Sequence, residues 1–442
     1  MSNSPAVGAA ADWRRFLTGR FAAFRTLAIS DAITVALAGD GLAIPLATTL
    51  GASPALATLI GLFPFVGGIL QGLVPTALRR SGGDLRRLTI VIAAIGLARP
   101  LLYLAVVVTV AIGLLPPIGG ILLIGLGFGI GATSQAIASA NVQTWFGRIL
   151  PERERRFVAP RALAIQFGLG SILLIPVALL VRVGQADWGV AIYAPAFVGA
   201  LLSSLFFIRA LGRLPRPGSV TMQRGAAAAP LSTPVRRFIR TNLIACLGAG
   251  FAPYLSVYAI VVLGQSAAFA ILLSAIGSAS ALVGAILIGN WLERGSASRL
   301  YRASLIVRGV GMASSIFAGP WNPFAPLVLI IVMIVVTVGF AAGMLSAQER
   351  LLRLAAPSEA VRAQSVFGAT NAAGLAIGQA VGVAVLALLP VVYVTYVGIF
   401  LITGAFRLVA AATADVGGGW DAATRINHPE EFPPEPALES SR

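Results

Sequence analysis

The sequence contains no lysine: all 32 of its basic residues are arginine. Charge of either sign is scarce, at 11% of residues, where a soluble domain carries about 25%. There is one cysteine, Cys246, and one histidine, His428. A single cysteine excludes an intrachain disulfide framework, and so little Cys and His excludes the usual thiolate and imidazole metal centres. No phosphate-cradling G-x-x-x-x-G-K-[ST] loop, no G-x-S-x-G elbow and no H-E-x-x-H pair occurs, so ATP hydrolysis and hydrolase chemistry have no recognisable site and no cofactor is implied. The start lacks a short apolar core followed by a small-residue cleavage site, so the first apolar run is expected to be retained. A formal charge of +16 would suit nucleic acid if the arginines shared a soluble face, but here they lie between apolar runs.

Apolar sequence fills the space that charge leaves. Hydrophobic residues make up 57% of the chain and the mean hydropathy is +0.90, which places it among integral membrane proteins of the all-α kind. Runs near the ~20 residues a spanning helix needs recur at 26–50, 54–78, 88–110, 117–141, 160–182 and 188–208, and again at 240–262, 266–291, 302–319, 325–347, 363–388 and 391–412. A Pro/Gly/Arg-rich linker, 211–239, separates the two sets, and residues 413–442 read as a disordered acidic tail. In residues 1–25, Trp13, Leu17, Phe21 and Phe24 recur at helical spacing beside Arg14, Arg15, Arg20 and Arg25. That pattern suits a short amphipathic helix on an anionic leaflet, or a plain positive anchor.

Arginine placement orients the chain. Arg79, Arg80, Arg86 and Arg87, then Arg148, Arg153, Arg155 and Arg156, the linker, Arg294, Arg299 and Arg302, and finally Arg350, Arg353 and Arg362 fall on alternate turns. The turns between them hold only Arg182. Twelve crossings with both termini cytoplasmic satisfy the positive-inside rule, in a bacterial-type inner membrane. The halves also repeat: LGASPALATL from Leu50 matches LGQSAAFAIL from Leu263 at six of ten positions, a shift of 213 residues. At the same shift RRSGGDLRR from Arg79 overlays LERGSASRL from Leu292.

From residue 26 to about 412 the chain resembles the major facilitator superfamily. LRRSGGDLRR carries Gly82, Gly83, Asp84, Arg86 and Arg87 in a degenerate order of that family's loop between spans two and three. Asn141, Trp145, Pro151, Glu152, Arg155, Arg156, Phe157 and Arg161 resemble its signature between spans four and five, with Glu349, Arg350, Pro357, Glu359 and Arg362 as the counterpart in the second half. The proton–drug antiporter pattern of span five is not matched, since Gly168, Gly170 and Pro176 have a different spacing. The resemblance implies two six-helix halves that rock about a midplane site, with a cytoplasmic gate of arginines and carboxylates. That gate is expected to comprise Asp84, Arg86, Arg87, Glu152, Arg155, Arg156, Arg161, Glu349, Arg350, Glu359 and Arg362.

An ionisable group at membrane depth is a functional-site hypothesis by default. Counted along a straight helix from Thr26, Asp40 lies ~21 Å in, and Arg99, counted from Leu88, lies ~16 Å in from the same side. The two are expected to pair as a proton or ion coupling site; a permanent structural pair is the competing reading. Asp31, only ~8 Å in, is assigned to the cytoplasmic gate. Arg308 and Arg407 are expected to snorkel. Gln135 and Asn141 in span four, Tyr254 and Tyr258 in span seven, and Asn371 and Gln379 in span eleven are the candidate cavity groups, with packing as the alternative for each. The resulting expectation is a secondary transporter of a small lipophilic or amphipathic solute, proton coupling included. The alternative is a non-transporting module that serves assembly of a complex with another membrane protein.

Overall fold

The computed structural model describes residues 16, 18, 21–82, 84–149, 152–214, 230–248, 251–294, 297–356 and 359–414. With no water in a bilayer core to satisfy backbone groups, the apolar runs close their hydrogen bonds within helices, and no strand occurs among the described residues. In chain order the first half holds α1 (Ala22–Ala38), α2 (Asp40–Thr49), α3 (Pro54–Ile60), α4 (Phe63–Gly68), α5 (Val74–Arg80), α6 (Leu85–Ile95), α7 (Ala98–Ala111), α8 (Pro117–Ile149), α9 (Glu152–Trp188) and α10 (Ala194–Leu211). The second half holds α11 (Thr233–Cys246), α12 (Phe251–Val261), α13 (Ala267–Arg294), α14 (Ala297–Ala313), α15 (Ala325–Leu354), α16 (Ala360–Leu388) and α17 (Tyr393–Thr413).

Several of the expected spans are broken rods. The first divides into α1 and α2 at Gly39, whose ψ of −169° interrupts the helix; a Cβ there would stand 2.3 Å from the Val35 carbonyl oxygen. The second passes through α3, α4, a 3₁₀ turn at Ile69–Leu73 and α5, and the third is α6 followed by α7. Among the described residues nine stretches are long and apolar enough to cross a bilayer, and one of them, Phe157–Leu211, is 55 residues long, enough for two crossings. The expected runs at 240–262 and 302–319 lack that continuous length: the first is divided between α11 and α12, and the second is α14 with a 3₁₀ turn at Ser314–Phe317. The second half also starts earlier than the arginine pattern suggests, with α11 beginning at Thr233 inside the expected linker.

The internal repeat has a backbone counterpart. Gly51 (φ 87°) and Gly264 (φ 64°), 213 residues apart, both adopt the left-handed conformation that glycine tolerates. The helices that follow, α3 at Pro54 and α13 at Ala267, begin at the same shift.

Two large cores, one centred in each half, take in a few residues of the other half. Leu46, Tyr103 and Phe197 are buried in the first, with the Tyr103 and Phe197 rings edge to face at 5.0 Å. Tyr258, Tyr396 and Phe400 are buried in the second. Apolar residues such as Ile112, Leu122, Phe206 and Val310 face outward, as a lipid solvent allows. The halves meet where α9 packs on α13 and where α4 and its 3₁₀ extension pack on α16. Phe16, Phe21 and Phe24 are buried against Phe157. Where the amino-terminal stretch is described, its phenyl rings pack on the bundle. Trp13, Arg14, Arg15, Leu17, Arg20 and the tail 415–442 lie outside the described residues.

Candidate functional site

A cavity of about 540 Å³ lies between the halves, on the side of the arginine-rich loops. The polar groups that line it are Asp31, Gln71, Gln135, Ser139 and Gln166 in the first half, and Asn242, Cys246, Tyr301, Arg308, Gln348, Gln364, Asn371 and Arg407 in the second. Most of the remaining wall is apolar, with Phe24, Phe65, Phe207, Phe340 and Phe367 among its residues.

In the first half the polar wall is a relay. Gln135 Nε2 donates to Asp31 Oδ1 at 3.0 Å, and Gln166 Nε2 donates to Asp31 Oδ2 at 3.0 Å. Arg99 extends the relay, its two terminal nitrogens each 3.4 Å from Gln135 Oε1. The glycine row of α8 makes this possible. A Cβ on Gly131 would stand 2.4 Å from the Arg99 Cβ, while Cβ atoms on Gly125 and Gly129 would stand 2.9 Å from the Phe63 Cε2 and 3.0 Å from the Phe63 Cβ. Small residues let the helices approach closely, and in doing so carry Arg99 to Gln135.

The two acids of the first rod have different surroundings. Asp31, expected at a gate, lines the cavity. Asp40, expected to pair with Arg99, opens α2 and accepts the Gly41 amide at 3.0 Å. An acid in the first turn of a helix complements the helix dipole. Arg99 stands within electrostatic reach of both carboxylates, but among the described residues no ion pair joins it to Asp40.

In the second half, Tyr301 donates to Asn242 Oδ1 at 2.9 Å, Asn242 Nδ2 donates to Asn371 Oδ1 at 3.4 Å, and the Cys246 thiol donates to the same Asn371 oxygen. Beside this chain stand Arg308 and Arg407. They do not snorkel: α14 and α17 are drawn together where Gly309 and Gly404 meet, a Cβ on Gly404 standing 2.8 Å from the Gly309 carbonyl oxygen, and both arginines turn into the bundle. Arg407 is only 2% exposed. Sequence reasoning left out Gln166, Cys246 and both arginines. The available signal was the small residues beside the arginines, which mark a helix–helix contact face.

Other predicted cavity groups sit at the opposite, sealed end. Gln379 is fully buried; its Nε2 donates to the Thr58 carbonyl at 3.0 Å, across the halves, and its own carbonyl accepts from the Tyr254 hydroxyl at 2.8 Å. Tyr258 is buried, donates to the Ala318 carbonyl and packs on Tyr396 at 5.2 Å. Ile44 and Ala57 of the first half share this core with Tyr254 and Leu255. Gly41 and Gly61 bring the backbones close enough that added Cβ atoms would meet Ser274 Cβ at 3.2 Å and Pro253 Cγ at 2.8 Å. Gln379 therefore fastens the interface, Tyr254 and Tyr258 pack in the core beside it instead of lining the cavity, and Asn141, buried at 1% exposure, does not line the cavity either.

The expected gate residues are dispersed at the arginine-rich end. Asp84 caps α6, accepting the Arg87 amide at 2.9 Å, and Arg86 donates to the Gly212 carbonyl, tying that loop to the end of α10. Glu359 accepts from the Ser232 hydroxyl and amide at 2.8 and 3.1 Å, which fixes the start of α11. Glu349 pairs with Arg353 at 2.8 Å. Arg161 lies over the Phe157 ring at 3.9 Å, Arg350 is buried and Arg362 is half-buried. The side chains of Glu152, Arg155 and Arg156 lie outside the described residues. Among the described residues no group of His, Cys, Asp and Glu could hold a metal ion.

No family profile matches this sequence, and no curated protein matches it. Solved structures do match its shape. A D-xylose–proton symporter superposes with a TM-score of 0.65 at 16% identity, over 88% of this chain and 95% of its own. A bacterial homologue of the iron transporter ferroportin, in an inward-facing state, does so with a TM-score of 0.63 at 14% identity, over 92% and 100%. The nucleoside transporter NupG gives 0.58 at 14%, over 91% and 98%. At such identities a likeness speaks of architecture, and nearly the whole of each chain takes part: the protein has the major facilitator superfamily fold.

Proposed function

We propose that this protein is a secondary transporter that carries a small amphipathic solute across a cell inner membrane by alternating access, with both termini on the cytoplasmic side. One observation carries the reading. The interface between the halves is a cavity at its arginine-rich end and a dry seal, fastened by Gln379 on Thr58, at the other. A solute can enter from one side only, and rocking the halves would open the seal and close the cavity mouth. The solved structures that share the fold are named as transporters of a sugar, a nucleoside and, for the relative of one of them, iron, which supports transport without indicating a solute for this chain. The largely apolar wall with a few polar groups suits an amphipathic molecule.

Proton coupling is part of the proposal, with Asp31 as the carboxylate concerned. It is the one acid lining the cavity among the described residues, so water there can deliver a proton to it, whereas the Asp40 carboxylate is engaged with the Gly41 amide at a helix start. Arg99, held through Gln135, supplies the opposing charge. The dispersed arginines and carboxylates at the cavity mouth would form the cytoplasmic gate in the opposite state. Reconstitution into proteoliposomes with an imposed pH gradient tests this. Solute flux that responds to the gradient supports it; no flux, together with a stable stoichiometric complex with another membrane protein, overturns it in favour of an assembly role.

A further inference from the structure

Resting on the transport reading, we propose that the solute is an oxyanion with an apolar body, and that Arg308 and Arg407 receive its carboxylate or phosphate.

Removing a guanidinium from water costs several kcal/mol unless an opposite charge or a full set of acceptors replaces the water. Neither is present. Arg407, 2% exposed, gives one terminal nitrogen to the Thr403 carbonyl and to Met312 Sδ, each at 3.0 Å, and its Nε has no hydrogen-bond partner. Arg308 lies over the Phe340 ring at 5.5 Å, and its Nε also has no partner. Among the described residues no carboxylate lies within ion-pair distance of either. The acids that could have turned toward them are committed elsewhere: Asp31, across the cavity, to Gln135 and Gln166; Glu349 to Arg353; Glu359 to Ser232. Like charges are moreover held together, since Arg308 and Arg407 are within electrostatic reach of one another.

The neighbourhood is shaped for the pair. Gly339 and Gly343 on α15 leave room for the Arg308 stem and head: a Cβ on Gly339 would stand 2.7 Å from the Arg308 Cγ, and one on Gly343 would stand 3.6 Å from its Nη1. Gly248 does the same for Arg407, at 3.0 Å from its Nη1. Both side chains line the 540 Å³ cavity, where an oxyanion would meet planar donors suited to two-point bonding. Phe340 and Phe367 on the same wall would take the apolar body.

The test compares ligands that share one ring and differ in charge. Benzoate, phenyl phosphate, benzylammonium and benzyl alcohol are titrated against the purified protein in lipid nanodiscs, with Arg308→Gln, Arg407→Gln and Arg407→Lys in parallel. At least one anion is expected to bind tenfold or more tighter than benzyl alcohol, with benzylammonium weakest, and the stronger anion tells carboxylate from phosphate. Arg308→Gln is expected to remove that preference, and Arg407→Lys to retain part of it; these two keep the test sound should Arg407→Gln fail to fold. Failure of both anions to bind, equal binding of anion and alcohol, preferred binding of benzylammonium, or an undiminished preference in Arg308→Gln would overturn the proposal. Flux of the bound anion in proteoliposomes separates the two readings. Anion preference without flux upholds the site and contradicts transport, whereas flux of a neutral or cationic solute without anion preference does the reverse.

Discussion

Gln379 on α16 reaches across the two halves to the Thr58 carbonyl, 3.0 Å away, at the point where the cavity ends. Its side chain is fully buried, so the bond has no competition from water. Replacing Gln379 with Leu leaves a buried carbonyl unsatisfied, at a cost of about 1–3 kcal/mol to the sealed state. The expected outcome is a population shifted toward opening at that end, by roughly 5- to 100-fold. Faster labelling of Cys246 by a membrane-impermeant reagent added on the sealed side, compared with the unmutated protein, would show it.

Cys246, the sole cysteine of the chain, reports on the charge of the cavity. It lines the cavity and lies within electrostatic reach of Arg308 and Arg407. The sulfonatoethyl methanethiosulfonate should therefore react faster relative to its trimethylammonioethyl counterpart than the same pair does on a small free thiol. An excess of about tenfold corresponds to roughly 1.4 kcal/mol of attraction. The excess should fall in Arg308→Gln; rates following the free-thiol ratio would contradict the cavity's positive character.

Gly131 and Gly398 make a matched pair for stability. A methyl on Gly131 collides with the Arg99 stem, so Gly131→Ala is expected to cost about 1–3 kcal/mol and to disturb the relay to Asp31. A methyl on Gly398 meets nothing within 4 Å, so Gly398→Ala should be neutral or stabilising by up to ~1 kcal/mol. Thermal unfolding in detergent should show Tm lowered in the first variant and unchanged or raised in the second.

Asp31→Asn and Asp40→Asn separate the two acids. The first removes the only cavity-lining carboxylate among the described residues, and flux should lose its response to a pH gradient. The second keeps an acceptor for the Gly41 amide, and gradient-driven flux should persist. A reversal of these results would return the coupling role to Asp40.

These two acids show what a sequence read by depth can and cannot convey. Apolar runs, alternating arginine turns and the repeat at Gly51 and Gly264 made the helical membrane architecture and its two halves legible, since each follows from one-dimensional spacing. Depth carries no information about which way a side chain points. Asp31 and Asp40 are nine positions apart, and at about 100° per residue that is roughly half a turn, so on one straight helix they could not face the same cavity. The break at Gly39 adds to this, because it makes Asp40 the start of a helix. Arg308 and Arg407 near a span end resembled snorkelling residues until Gly309 and Gly404 proved to join their helices. Tyr254, Tyr258 and Gln379 are polar groups at depth, and polarity at depth serves a seal as well as a cavity.

The central claim is that the sealed end must open for solute to pass. Gly41 and Ser274 face each other there, with an ideal Cβ on Gly41 placed 3.2 Å from the Ser274 Cβ, so that a shift of a few tenths of an ångström reaches the roughly 3.5–4.5 Å Cβ separation of a disulfide. In a Cys246→Ser background, Gly41→Cys with Ser274→Cys should therefore cross-link under mild oxidation and lock the seal. Flux measured in proteoliposomes is predicted to stop on oxidation and to return on reduction. Flux that continues at its full rate through the cross-linked protein would contradict alternating access.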